Sequence, residues 1–181
     1  MTTTPYPWPW HGRLDPSRLA LLAVACPDRS ARGGMAGGTA GLEETVRGAG
    51  GLVVRVGVRP PLRPAGPPVA PPNRAPSKAT GAAPDCDVAA AGWDGFHGSG
   101  LDDLLRAAGR DLLALTGCCL ELGVHSTMRS ANDRGYECLL VADACAAADP
   151  MLAGAALSMI EMSGGIFGAV GSSAALIREL S

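Results

Sequence analysis

Four runs in this chain are apolar almost without a break: LALLAVA at 19–25, GLVVRVGV at 51–58, DLLALTG at 111–117 and YECLLVADA at 136–144. A strand with one wet face alternates apolar and polar residues, whereas a strand covered on both faces is apolar throughout. Runs of this length and composition predict strands of a parallel sheet held between two layers of helices. Helices are expected between and after them: a short one around Leu42 to Arg47, then 101–109, about 119–133 ending at Gly135, 150–162 and 172–180. A further short strand, GIFGAV, is expected at 165–170. In LDDLLRAAG (101–109), Leu101, Leu104 and Leu105 share one face, and Asp102 and Asp103 occupy the first turn, where the helix dipole favours negative charge. Strand and helix alternate with short connections, which predicts an α/β fold: a three-layer, doubly wound parallel sheet. The chain's 181 residues suffice for one such domain, placed at 17–181.

Two segments depart from the pattern. In residues 1–16, MTTTPYPWPWHGRLDP, spaced prolines forbid a helix, so an extended arm is expected, with Tyr6, Trp8 and Trp10 seeking an apolar surface. The span 60–84 is crowded with prolines from Pro60 to Pro76 and has almost no large apolar side chain; it reads as a polyproline-like loop without packed structure. The chain's only lysine, Lys78, lies in it.

Composition excludes several classes of function. A net charge of −2 offers no basic face for nucleic acid. The longest apolar stretches are cut by Asp111, Glu121, Asp143 and Asp149, so no membrane span is expected. Met1 to Arg13 lacks the basic-then-apolar order of a secretory signal, and a cytoplasmic setting follows as the default. Cys26, Cys86, Cys118, Cys119, Cys138 and Cys145 show no C-x2-C pairing, so no metal is expected, and their apolar surroundings suit reduced core thiols. No cofactor is expected either: GGMAGGTAG (33–41) lacks the register of a phosphate-binding loop, and no G-x-S-x-G occurs.

Ligands of doubly wound sheets bind beyond the carboxyl ends of the strands. One of the loops there opens the segment TGCCLELGVHSTMRSANDRGYECLLVADACAAADP (116–150). With PYPWPWHGRLDPSRLALLAV at the start and MIEMSGGIFGAVGSSAALIREL at the end, it resembles the isochorismatase-like cysteine hydrolases, nearest the biuret-hydrolase-type branch. The middle, 26–84, is shorter than that family's norm. The resemblance implies a strand ending in Thr-Gly, then a nonprolyl cis peptide, here at Cys118–Cys119, then a helix starting at the nucleophile. It also implies a catalytic set of Asp after strand one, Lys after strand three and Cys on the helix after strand four. In that set the Asp takes the thiol proton, the Lys and the helix dipole stabilise the thiolate, and backbone N–H groups hold the oxyanion. Carried onto this sequence, the three positions fall on Ala25, Ala90 and Gly123. All three catalytic side chains are replaced.

Asp28, Asp94 and His125 are then the candidate acids and bases. Trp93, His97, Cys118 and Cys119 are candidate pocket-lining residues, and Glu121 reads as a capping or interface acid. Two readings follow. In the favoured one a small-molecule cleft persists and carries a non-hydrolytic step, such as cyclisation, isomerisation or elimination, in a specialised biosynthetic pathway. In the other, the chain is a catalytically dead subunit of a homo-oligomer, or of a hetero-oligomer with a paralogue, with Met151, Met159 and Met162 offering apolar surface. A closed site above Gly123 favours the second; an open cavity with converging Asp and His favours the first.

Overall fold

A computed structural model describes residues 1–26, 39–59 and 85–181. Asp28, Lys78 and the proline-rich span 60–84 lie outside the described residues, as does most of the glycine-rich stretch. Six strands form one parallel sheet in the order β3-β2-β1-β4-β5-β6: β1 (Leu19–Ala25), β2 (Leu52–Gly57), β3 (Cys86–Ala89), β4 (Leu112–Cys118), β5 (Glu137–Ala146) and β6 (Ala169–Gly171). The helices are α1 (Thr39–Gly48), α2 (Leu101–Ala107), α3 (His125–Asp133), α4 (Ala153–Gly165) and α5 (Ser173–Leu180).

The alternation of side chains along each strand divides the interior in two. Ala20, Leu22 and Val24 of β1 join Leu101, Leu105, Val124, Met128, Ala156 and Ile160 on one face of the sheet. Leu19 and Leu21 join Leu42, Val46, Leu176 and Trp8 on the other. Every residue of β4 is buried, as the unbroken apolar run requires. Burying a leucine such as Leu22 or Leu115, both 0% exposed, stabilises the fold by about 1.5–3 kcal/mol.

Differences from expectation sit at the sheet's edges. β3 is a four-residue edge strand whose exposure alternates, so it does not stand out as an apolar run. β6 covers only Ala169–Gly171 rather than 165–170, because α4 continues to Gly165 and Gly168 turns the chain at φ +132°. α4 itself follows a 3-10 turn, Pro150–Leu152, capped by the Asp149 carboxylate on the Met151 N–H.

The N-terminal arm is docked along the β6 edge. Thr4 N–H donates to Val170 O at 2.9 Å and Val170 N–H to Thr4 O at 2.6 Å. Trp8 is fully buried and the Tyr6 hydroxyl donates to Glu137 at 2.6 Å. Trp10 departs from the expectation: it is 66% exposed and meets the Tyr6 ring edge-on at 5.2 Å between centroids.

Candidate functional site

β1 and β4 are neighbours whose connections leave in opposite directions, so the switch point of this sheet lies between their carboxyl ends. Gly117, the last residue but one of β4, has φ +131°, and a Cβ on it would lie 2.0 Å from Val24 O; only glycine lets the two strands approach so closely. Cys118 turns its sulfur toward β1, where Sγ accepts from the Cys26 N–H at 3.0 Å, and burial pushes its thiol pKa upward. Cys119 follows in the left-handed region, φ 61°, and opens a π-helical turn, Leu120–Val124, that leads into α3. The chain thus reaches α3 through a wide turn rather than the continuous helix expected from about residue 119.

That turn sets Gly123 against the end of β2. A Cβ on Gly123 would lie 2.8 Å from Val58 Cγ2, 3.3 Å from Val24 Cγ1 and 3.9 Å from Trp93 O. Val58, fully buried, donates its N–H to Ala25 O at 2.9 Å, while the Ala90 N–H donates to Gly57 O at 2.8 Å. Ala25, Ala90 and Gly123 are therefore gathered around the Gly57–Val58 backbone, with the Val58 isopropyl group beside Gly123. Thr127, fully buried one turn on, fixes the arrangement: its hydroxyl donates to Gly123 O at 2.7 Å and accepts from the Gly95 N–H at 2.9 Å.

The other candidates are held apart. Asp94 accepts from the Phe96 N–H at 2.9 Å through one oxygen and from the Ser130 hydroxyl at 2.8 Å through the other. His125 is 7% exposed and faces the Phe167 ring at 6.5 Å between centroids; burial first, and then the nearby Arg129 charge, hold its pKa below the ordinary 6.5. No contact joins Asp94 to His125 among the described residues. Trp93 is half-buried against the first core, and His97 is exposed. Cys118 and Cys119 are buried within the wall, at 5% and 1% exposure. Glu121 accepts from the Ala148 N–H at 2.8 Å and the Asp149 N–H at 2.6 Å, so it caps the loop leaving β5. A cavity of about 480 Å³ lies at the opposite ends of the strands, lined by Trp10, Arg13, Arg18, Asp111 and Glu137, far from the switch point.

The isochorismatase domain model matches residues 44–175. The chain belongs to the isochorismatase family. An uncharacterized isochorismatase family protein of Escherichia coli O157:H7, YecD, is 36% identical over 64 residues, which are 35% of this chain and 34% of that protein. YwoC of Bacillus subtilis, likewise an uncharacterized member, is 38% identical over 60 residues, 33% of this chain and 32% of its own length. The chain thus matches about a third of the length of these curated relatives. A cysteine hydrolase from Pseudomonas syringae pv. phaseolicola superposes with a TM-score of 0.74 at 20% identity, covering 99% of this chain and 97% of that one. An isochorismatase family protein from Burkholderia thailandensis gives 0.72 at 25% identity, covering 93% and 97%. N-carbamoylsarcosine amidase from Thermoplasma acidophilum gives 0.63 at 24% identity, covering 86% and 96%.

One expectation drawn from the family resemblance is corrected. The cis peptides among the described residues precede Pro5 and Pro9, and none falls at Cys118–Cys119, where positive φ at Cys119 makes the turn instead. Sequence reasoning also missed Val58 and Thr127. Thr127 lies in the quoted HST triplet, but its two partners are on other turns and loops, so no local signal gave its role.

Proposed function

We propose that this isochorismatase-family chain does not hydrolyse by the family's thiol mechanism and serves as a catalytically silent subunit of an oligomer. The observation that carries the reading is the 2.8 Å between a Cβ built on Gly123 and Val58 Cγ2. Any side chain at the position the resemblance gives to the nucleophile would have to displace the Val58 isopropyl group. The positions matched to the Asp and Lys carry Ala25 and Ala90, so neither a base for a thiol nor an ammonium to hold a thiolate stands there. Hydrolase and amidase chemistry of the kind named for the structural neighbours lacks its three groups at these corners.

The alternative, a non-hydrolytic enzyme acting through Asp94 and His125, draws less support. Both Asp94 oxygens are engaged by Ser130 and the Phe96 amide, and His125 is turned to Phe167. Purified protein assayed against biuret, N-carbamoyl amides and isochorismate is expected to give no turnover above background. Turnover that Cys119→Ala abolishes overturns the reading.

A further inference from the structure

The cavity at the amino ends of the strands is built from two parts that the fold fixes separately. One is the floor formed where β1 and β4 begin. Arg18, just before β1, meets Asp111, just before β4, through two bonds: Nε donates to Oδ1 at 2.8 Å and Nη2 to Oδ2 at 2.6 Å. Leu112, next in the chain, is buried. The other part is the N-terminal arm. Its Gly12 N–H donates to Pro9 O at 2.8 Å, with Gly12 at φ +67° and Pro9 buried, so residues 9–12 form a closed turn. Trp10 stands on that turn, braced edge-on by Tyr6 and 66% exposed. The Tyr6 hydroxyl in turn donates to Glu137 Oε1 at 2.6 Å, which ties the aromatic wall of the cavity to its acidic one.

Two of the charges around this cavity are matched and two are not. Arg18 and Asp111 satisfy each other. Arg13, exposed on the arm, makes no ion pair among the described residues, and neither does Glu137, although both line the same cavity. A carboxylate accepts about four hydrogen bonds, so the Tyr6 phenol leaves Glu137 room for a cation. One unmatched cation, one unmatched anion and an exposed indole thus surround about 480 Å³, within the roughly 300–1,000 Å³ of small-molecule sites. A simple anion drawn to Arg13 is repelled by Glu137, and a simple cation meets the reverse. A zwitterion satisfies both groups with charge-assisted hydrogen bonds. A flat side chain on that zwitterion has Trp10 to cover.

We propose that this cavity binds a free aromatic α-amino acid, with the carboxylate on Arg13, the ammonium on Glu137 and the ring against Trp10. The site lies at the opposite end of the sheet from Gly123 and does not depend on whether the chain has catalytic activity. Trp10 and Arg13 come from the arm and Glu137 from β5, so an occupant joins the arm to the sheet.

The test is titration calorimetry on the full chain at about pH 8, where an ordinary imidazole such as that of His11 is uncharged. The probes are L-phenylalanine, 3-phenylpropionate, which lacks the ammonium, phenethylamine, which lacks the carboxylate, and L-alanine, which lacks the ring. L-phenylalanine is expected to bind one to one with a submillimolar dissociation constant, and each of the other three about tenfold more weakly or worse. Trp10→Ala, Arg13→Gln and Glu137→Gln are each expected to weaken L-phenylalanine by a similar factor, with circular dichroism as the check on folding. Trp10 and Arg13 are exposed, and glutamine at 137 keeps an acceptor for Tyr6. Should a variant fail to fold, the probe series on the native chain still decides. Absence of binding by L-phenylalanine, equal binding of any of the other three probes, or a folded variant that binds as the native chain does overturns the proposal.

Discussion

A side chain placed at residue 123 would press on Val58 and Val24, both of which close the carboxyl end of the sheet. Gly123→Cys, which puts a sulfur where the family resemblance implies one, is therefore expected to destabilise the fold by about 1–3 kcal/mol in urea denaturation, and Val58→Ala to relieve part of that strain. The same variant is expected to gain no amidase activity, because no proton acceptor or ammonium stands at Ala25 or Ala90. His125 provides a second measurable consequence. Burial, and then Arg129, hold its folded pKa below 6.5, so on acidification the unfolded chain takes up the proton first. Stability is full above pH 6.5 and falls as the pH drops from there toward the folded value. Thermal denaturation between pH 7.5 and 5.5 is expected to follow that slope, and His125→Gln to flatten it. The assignment of Ala25, Ala90 and Gly123 rests on motif register with the family the sequence resembles; their gathering around the Gly57–Val58 backbone is a finding of the structure. The place of Val58 was not legible in the sequence, since its partners come from β1 and from the turn before α3, and no periodicity within 51–58 reports them.

The elements around the site are joined by side chains that act on backbone rather than on ligand. Glu121, on the π-helical turn, holds the Ala148 and Asp149 amides and so fixes the connection from β5 to α4. Glu121→Ala is expected to cost about 1–2 kcal/mol and to speed amide exchange at those two residues, because two charge-assisted bonds are lost at a half-exposed place. The sequence suggested a capping or interface acid at the start of its own helix, whereas the carboxylate holds the loop after β5. It did not suggest a π-helical turn: a hydrophobic pattern reports which face is buried, not how many residues a turn contains. β3 escaped notice for a related reason, since an edge strand with exposed Asp87 lacks the two-sided burial that marks β1 and β4.

Across the whole molecule, the doubly wound fold was readable because four central strands are buried on both faces, a condition that few architectures impose. Trp8, from outside the sheet, completes the second core. Trp8→Ala is expected to lower stability by about 3–5 kcal/mol, the range for emptying a large aromatic site, as chemical denaturation would measure. The pairing of Thr4 with Val170 has a consequence of a different kind. A terminal strand with open amides and carbonyls is a template on which a foreign chain can add. Here the polypeptide covers that margin itself, through the two bonds between Thr4 and Val170, and so withholds the β6 edge from a foreign strand. Shortening the chain past Trp10 would bare that edge, and aggregation measurable by light scattering is the expected outcome.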